Sequence, residues 1–308
     1  MKDLKYSPER LIREMMVYSG FTSEIGLMNG RAGICILLFL YSRYFDDREI
    51  EEYAEYLLDE IFIELELVQA GLGFENGITG IAWSINYLIA HGYVEGDSDE
   101  VLEDIDLAVR KVPNNHGLEI ISGLYWISRM PSTKQLIKQQ TERWIKNILR
   151  LVRNRDINLS CADVINILYC CHVCKTVRIF PGYIQRLIGA IVPSIERIFE
   201  KPGYECEKYI LSELCRTIPE LHKFSDYGTF TAWKVTLSDV NKLYLYRLIF
   251  DRFSFEIPEC CLEKIKSIIS DSDIVDGLKS LMNPENIGLM SQIGGLTLTL
   301  TEFFNDRN

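Results

Sequence analysis

Two kinds of hydrophobic pattern alternate along this chain. From Ile34 through Cys35, Ile36, Leu37, Leu38, Phe39 and Leu40 to Tyr41 every position is apolar, and from Ile81 to Ile89 nearly every one is. Runs apolar on all sides predict a helix buried all round, or a buried strand. The segment after the first run decides for helix. Tyr53, Ala54, Leu57, Leu58, Ile61 and Leu65 fall at the three- and four-residue steps of one helix face. Glu51, Glu52, Glu55, Asp59, Glu60, Glu64 and Glu66 take the other face, which predicts a solvated acidic surface. The unit is therefore a buried helix followed by an amphipathic helix that covers it.

Each buried helix is opened by the same glycine skeleton. Gly26-Leu27-Met28-Asn29-Gly30-Arg31-Ala32-Gly33-Ile34 returns as Gly73-Phe74-Glu75-Asn76-Gly77-Ile78-Thr79-Gly80-Ile81, 47 residues later. Gly288-Leu289 and Gly295-Leu296 keep the first and last elements at the same separation, and Gly117-Leu118 with Gly123-Leu124 form a copy one residue tighter. Self-similarity on this scale marks a repeat architecture whose inner helices are buried by stacking or by closing into a ring.

The other elements come in order. Ser7 and Pro8 open a helix to residue 19 with Leu11, Ile12, Met15 and Met16 inward. The covering helix of the second unit starts after Gly96-Asp97-Ser98, with Val101, Leu102, Ile105 and Ala108 inward. Pro113 to Gly117 is a turn cluster. A third unit places 118–130 inside and 132–150 outside. Beyond residue 155 the glycines are lost, but 158–169 and 240–250 keep the character of inner helices, and Pro181 and Pro258 open covering ones. No stretch alternates with the period of a strand and no linker divides the chain. The pattern predicts one all-α domain, 1–308, of roughly a dozen helices.

Composition narrows the function classes. A net charge of −11 excludes the basic surface that a nucleic-acid partner requires. Apolar runs fall short of the roughly 18 residues that span a bilayer, and the first residues carry no signal-peptide core. Nine cysteines without regular spacing are read as reduced thiols of a cytoplasmic protein.

Several residues invite a chemical role. Cys170-Cys171-His172-Val173-Cys174 has metal-ligating types, yet on one helix Cys170 and Cys174 share a face while Cys171 and His172 point elsewhere. His116 precedes the third glycine copy, and Asp163 and Asp239 stand at the starts of inner helices. These three are the catalytic candidates, although an aspartate at such a position ordinarily caps its helix; inner carboxylates also serve the α/α-toroid glycosidases. If the glycine-led helix starts converge, their backbone lets a ligand approach closely and their unpaired N–H groups favour an anion or an extended peptide. Asn29, Gly30, Asn76, Gly77, His116, Trp233, Lys234 and Gln292 are the candidate binding residues.

The paired glycine motifs at this period resemble the lanthionine synthetase C-like (LanC-like) family, and the Gly288 to Leu296 segment matches how that family ends. The resemblance implies an (α/α)6 to (α/α)7 toroid. It also implies zinc, held by two Cys and one His, that activates a peptide cysteine for attack on a dehydrated residue. The first ligand motif aligns best with Ala232-Trp233-Lys234-Val235, where the ligand position holds a lysine. The adjacent Cys-His pair of the family has a counterpart only in Cys171-His172, placed before that motif and followed by Val173. The expectation is a member without cofactor that binds a peptide or small anionic ligand. Zinc-dependent cyclisation with rearranged ligands, and glycoside processing, stand as the alternatives.

Overall fold

A computed structural model describes residues 8–67, 71–111, 123–154, 158–228 and 233–270, together with Gly295, Thr297, Leu298, Thr299 and Thr301. Among them there is no strand, and the expected all-α class holds. The helices are α1 (Pro8–Ser19), α2 (Arg31–Phe45), α3 (Arg48–Leu67), α4 (Ile78–Ala90), α5 (Ser98–Val101) and α6 (Glu103–Arg110). Then come α7 (helical over 123–128), α8 (Gln135–Asn154), α9 (Cys161–Thr176), α10 (Pro181–Glu200) and α11 (Glu205–Thr217). A 3-10 segment, Pro219–Gly228, precedes α12 (Leu237–Ile249) and α13 (Glu259–Ser270). Contacts gather these into two units, the first within Met1–Glu95, Val235–Ile249 and Glu256–Asn308, the second within Gly96–Lys234 and Phe250–Phe255.

In the first unit the two glycine-opened helices are buried as their composition requires. Every residue of α2 from Arg31 to Ser42 is buried, and so is every residue of α4 from Thr79 to Leu88. Each large aliphatic side chain withdrawn from water in this way contributes about 1.5–3 kcal/mol. Helix α3 covers α2 with Ala54, Leu57, Leu58 and Ile61. Beyond the far end of α4, Arg43 of α2 donates to the carbonyls of His91 and Gly92 at 2.8 and 2.6 Å and lies 3.5 Å over the Tyr93 ring. That contact supplies donors to the chain just past the helix, where carbonyls lack intrahelical partners.

In the second unit α9 is the buried helix, with Val164, Ile165, Ile167, Leu168, Tyr169, Cys170, Cys171, Val173 and Cys174 all inside. Helices α10 and α11 pack against it. Two features differ from the pattern-based expectation. The covering helix after Ser98 breaks at Leu102 into α5 and α6, so Val101 and Ala108 face water while Asp106 turns inward. Asp106 is buried because Tyr125 Oη donates to it at 2.5 Å and Arg129 Nη2 at 3.0 Å. Helix α11 has no counterpart in the pattern at all.

Among the described residues no helix is long and apolar enough to cross a membrane.

Candidate functional site

The two N-terminal glycine motifs meet. Met28 N–H donates to the Glu75 carbonyl at 2.7 Å, and Asn29 N–H donates to Asn76 Oδ1 at 3.2 Å. A side chain on Gly26 would begin 2.5 Å from the Cα of Asn76, so the loops lie backbone against backbone.

Within each loop the same closure recurs at the same offset. The first N–H of α2, on Arg31, donates to the Glu24 carbonyl at 2.9 Å; the first N–H of α4, on Ile78, donates to the Gly71 carbonyl at 2.7 Å. Gly30 and Gly77, the residues before these helices, have extended backbone with φ of −140° and −116°. A positive φ is therefore not why they are glycine. A Cβ on Gly30 would stand 2.6 Å from the Glu24 carbonyl oxygen, and one on Gly77 2.5 Å from the Gly73 oxygen. The glycines let each loop fold back on its own helix start, and a backbone carbonyl takes the amide that a helix N-terminus otherwise leaves open.

The last glycine of three of the copies also makes room for a neighbour. On Gly80 a Cβ would overlap the Phe74 carbonyl, on Gly123 it would reach the indole of Trp144, and on Gly295 it would stand 2.8 Å from Asn241 Nδ2. Around the loops, Arg31 is buried and pairs with Glu64 of α3. The paired loops leave two carboxamides open. Asn29 is half-buried and Asn76 exposed, and beyond the bond they share neither the Asn29 side chain nor Asn76 Nδ2 has a hydrogen-bond partner among the described residues.

Asp163 and Asp239 hold matching positions at two other helix starts. Asp163 Oδ2 accepts from Ser160 N–H at 2.9 Å and from its hydroxyl at 2.7 Å, and Ser160 Oγ accepts from Asp163 N–H at 3.1 Å. Asp239 repeats the arrangement with Thr236 at 2.9, 2.8 and 3.2 Å. Both are capping boxes, in which two helix-end donors are satisfied reciprocally. At the start of α9 a cavity of about 360 Å³ opens, lined by Ser160, Cys161, Arg197, Lys201, Tyr204 and Glu207 among others.

The metal-ligating types are not brought together among the described residues. Lys234, at the position where the resemblance puts a thiolate, is exposed. Cys170 and Cys171 are fully buried, and loss of water holds both thiols well above their ordinary pKa; the Cys174 thiol is pushed up to about 12 for the same reason. His172 is held below its ordinary pKa chiefly by burial. Its Nδ1 stands 2.9 Å from Thr217 Oγ1 and its ring meets Phe253 edge-on at 5.4 Å. Among the described residues no three His, Cys, Asp or Glu side chains are grouped to hold a metal.

Trp83, Tyr87 and Trp126 are core side chains, and Trp233 is half-buried. His116 and Gln292 lie outside the described residues, as does most of the C-terminal glycine copy. The pattern missed the cluster around Arg129, whose Nη2 also stands 2.9 Å from Asp99. The signal for it was the inward register of Asp106, four residues after Leu102.

Residues 23–161 match the model of the family described as lanthionine synthetase C-like protein. No curated protein matches the chain.

Proposed function

We propose that this chain, whose residues 23–161 match the lanthionine synthetase C-like family, is a member of it that binds a peptide or partner, in the setting of peptide modification, without a zinc centre. The observation that carries this reading is the residue at the position of the first ligand: Lys234 presents an exposed amine where a thiolate is required. A protonated ammonium has donors only and cannot coordinate a cation. The placement of Cys171 and His172 supports the same reading, since Cys171 is fully buried while the His172 ring sits against Thr217 and Phe253.

The paired glycine loops are the best-supported place for a peptide to bind. Their helix-start amides on Arg31 and Ile78 already have partners, so recognition there falls to the side chains. Asn29 offers a whole carboxamide, a donor and an acceptor in the same plane, which is the complement of a peptide bond, and Asn76, whose Oδ1 already accepts from Asn29 N–H, offers its amide donor. Gly30 and Gly77 contribute by holding the loops closed.

The experiment is metal analysis of the purified chain combined with titration of a peptide carrying one cysteine and one dehydroalanine. Zinc well below one equivalent, measurable binding, and a peptide thiol that stays open to alkylation are the expected results. Replacing both Asn29 and Asn76 by Ala weakens binding about tenfold, the worth of one or two neutral hydrogen bonds. Stoichiometric zinc that is lost in Cys171→Ala and His172→Ala variants, or consumption of the peptide thiol, overturns the proposal. Oligosaccharide turnover abolished by Asp163→Asn would do so in favour of glycoside processing.

A further inference from the structure

The outer face of α3 is more than a solvated acidic surface. Tyr56 and Ile63 stand on it 56% and 55% exposed. Seven residues apart, they occupy one line along the helix, separated by two turns or about 10.5 Å. Acidic side chains flank that line on both sides, Glu55 and Asp59 on one and Glu60 on the other. A single exposed apolar residue is ordinary; here two share one line within a charged face.

Only part of the charge is compensated. Glu49 pairs with Arg13, Glu52 with Arg48 and Glu64 with Arg31. The side chains of Glu51, Glu55, Asp59 and Glu60 make no ion pair or hydrogen bond among the described residues. Glu51, Glu55 and Asp59 succeed one another at four-residue steps, a spacing at which like charges destabilise a helix. The apolar line continues towards α1. Tyr53 lies beside Tyr56 with ring centroids 6.0 Å apart and donates its hydroxyl to the Met16 carbonyl at 2.8 Å. Next to that carbonyl, Val17 is 62% exposed, and Phe21 beyond the helix end is 72% exposed.

We propose that the outer face of α3, centred on Tyr56 and Ile63, docks a basic amphipathic helix of a partner protein. Its apolar residues, spaced by two turns, would cover Tyr56 and Ile63. Its Lys and Arg side chains would meet Glu55, Asp59 and Glu60 and relieve their mutual repulsion. The choice of occupant rests on this complementarity of charge and spacing. The site is separate from Asn29 and Asn76, so its failure leaves the zinc-free reading untouched.

The test is fluorescence anisotropy of the full chain with a labelled amphipathic helical peptide of Leu and Lys, about 18 residues long, beside a scrambled peptide of the same composition. Two variants separate the contributions: Tyr56→Ser with Ile63→Ser removes the apolar line, and Glu55→Lys with Asp59→Lys reverses the charge. Each pair is expected to raise Kd about tenfold or more, the scrambled peptide to bind correspondingly weakly, and added salt to weaken the wild-type complex. Unchanged circular dichroism and melting of the variants show that binding, not folding, was altered. The proposal fails if the amphipathic peptide does not bind, if the scrambled one binds as well, or if loss of Tyr56 and Ile63 leaves Kd unchanged.

Discussion

Helices α2 and α4 begin differently from α9 and α12, although all four are inner helices by pattern. The first pair satisfies its opening amides with loop carbonyls, Glu24 for Arg31 and Gly71 for Ile78. The second pair uses side chains, Asp163 with Ser160 and Asp239 with Thr236. The backbone solution needs a loop folded tightly onto the helix start, and that fold excludes Cβ atoms. The side-chain solution leaves the preceding loop open and tolerates any residue around the cap. Loss of the glycine motif at α9 and α12 is therefore a change of device rather than loss of the helix start. The helical segment 123–128 of the third copy is anchored at its C-terminal end by a buried charge cluster at Arg129.

The comparison is broken most sharply at that cluster. Arg129→Leu is expected to cost about 3–5 kcal/mol, because Asp106 would remain buried with its charge unmatched. Urea denaturation measures it, and a loss below about 1 kcal/mol would mean that packing, not the ion pair, holds this copy. Gly77→Ala ranks next, at about 1–3 kcal/mol, since the new methyl group forces the loop off its helix. The same substitution at Gly182 of α10, where a Cβ would meet nothing within 4 Å, is the control and should leave stability unchanged or slightly raised. Equal effects at the two glycines would remove steric closure as the explanation.

How much of this was legible in the sequence depended on what each residue type can reveal. Apolar runs disclosed α2, α4 and α9, and the three- and four-residue spacing disclosed α3, α8 and α10, because burial acts directly on those patterns. The repeat at an offset of 47 residues announced that two loops share a design, but not that they touch. That contact is made by backbone atoms of Met28 and Glu75, whose positions no side chain advertises. Helix α11 was hidden for another reason. Its inner face is Cys206, Ile210, Leu211, Leu214 and Cys215, and the stripe appears only when cysteine is counted as a small hydrophobe. Asp106 misled because a charge at an inward register looks like an outward one until its cation, Arg129, is found.

The smallest effect gives the cleanest separation between the two kinds of helix start. Ser160→Ala and Thr236→Ala should each cost about 1 kcal/mol, the ordinary worth of a cap. Asp163→Ala and Asp239→Ala should cost a similar amount, since the carboxylate is the reciprocal half of each box. Asp163→Asn retains an acceptor for Ser160 N–H but loses the charge that favours a helix N-terminus, so only about 0.3–1 kcal/mol should go; Asp239→Asn is the matching change at the other start. A capping role thus predicts a graded series, wild type above Asn above Ala, of nearly equal steps at residues 163 and 239. Thermal melts of the six variants check it. A carboxylate kept for acid–base chemistry would give the opposite order of consequences, with Asn as damaging to turnover as Ala and little change in melting. The matched geometry at Ser160 and Thr236 makes the capping series the expected result, and a flat series at either residue would detach that helix start from the shared design.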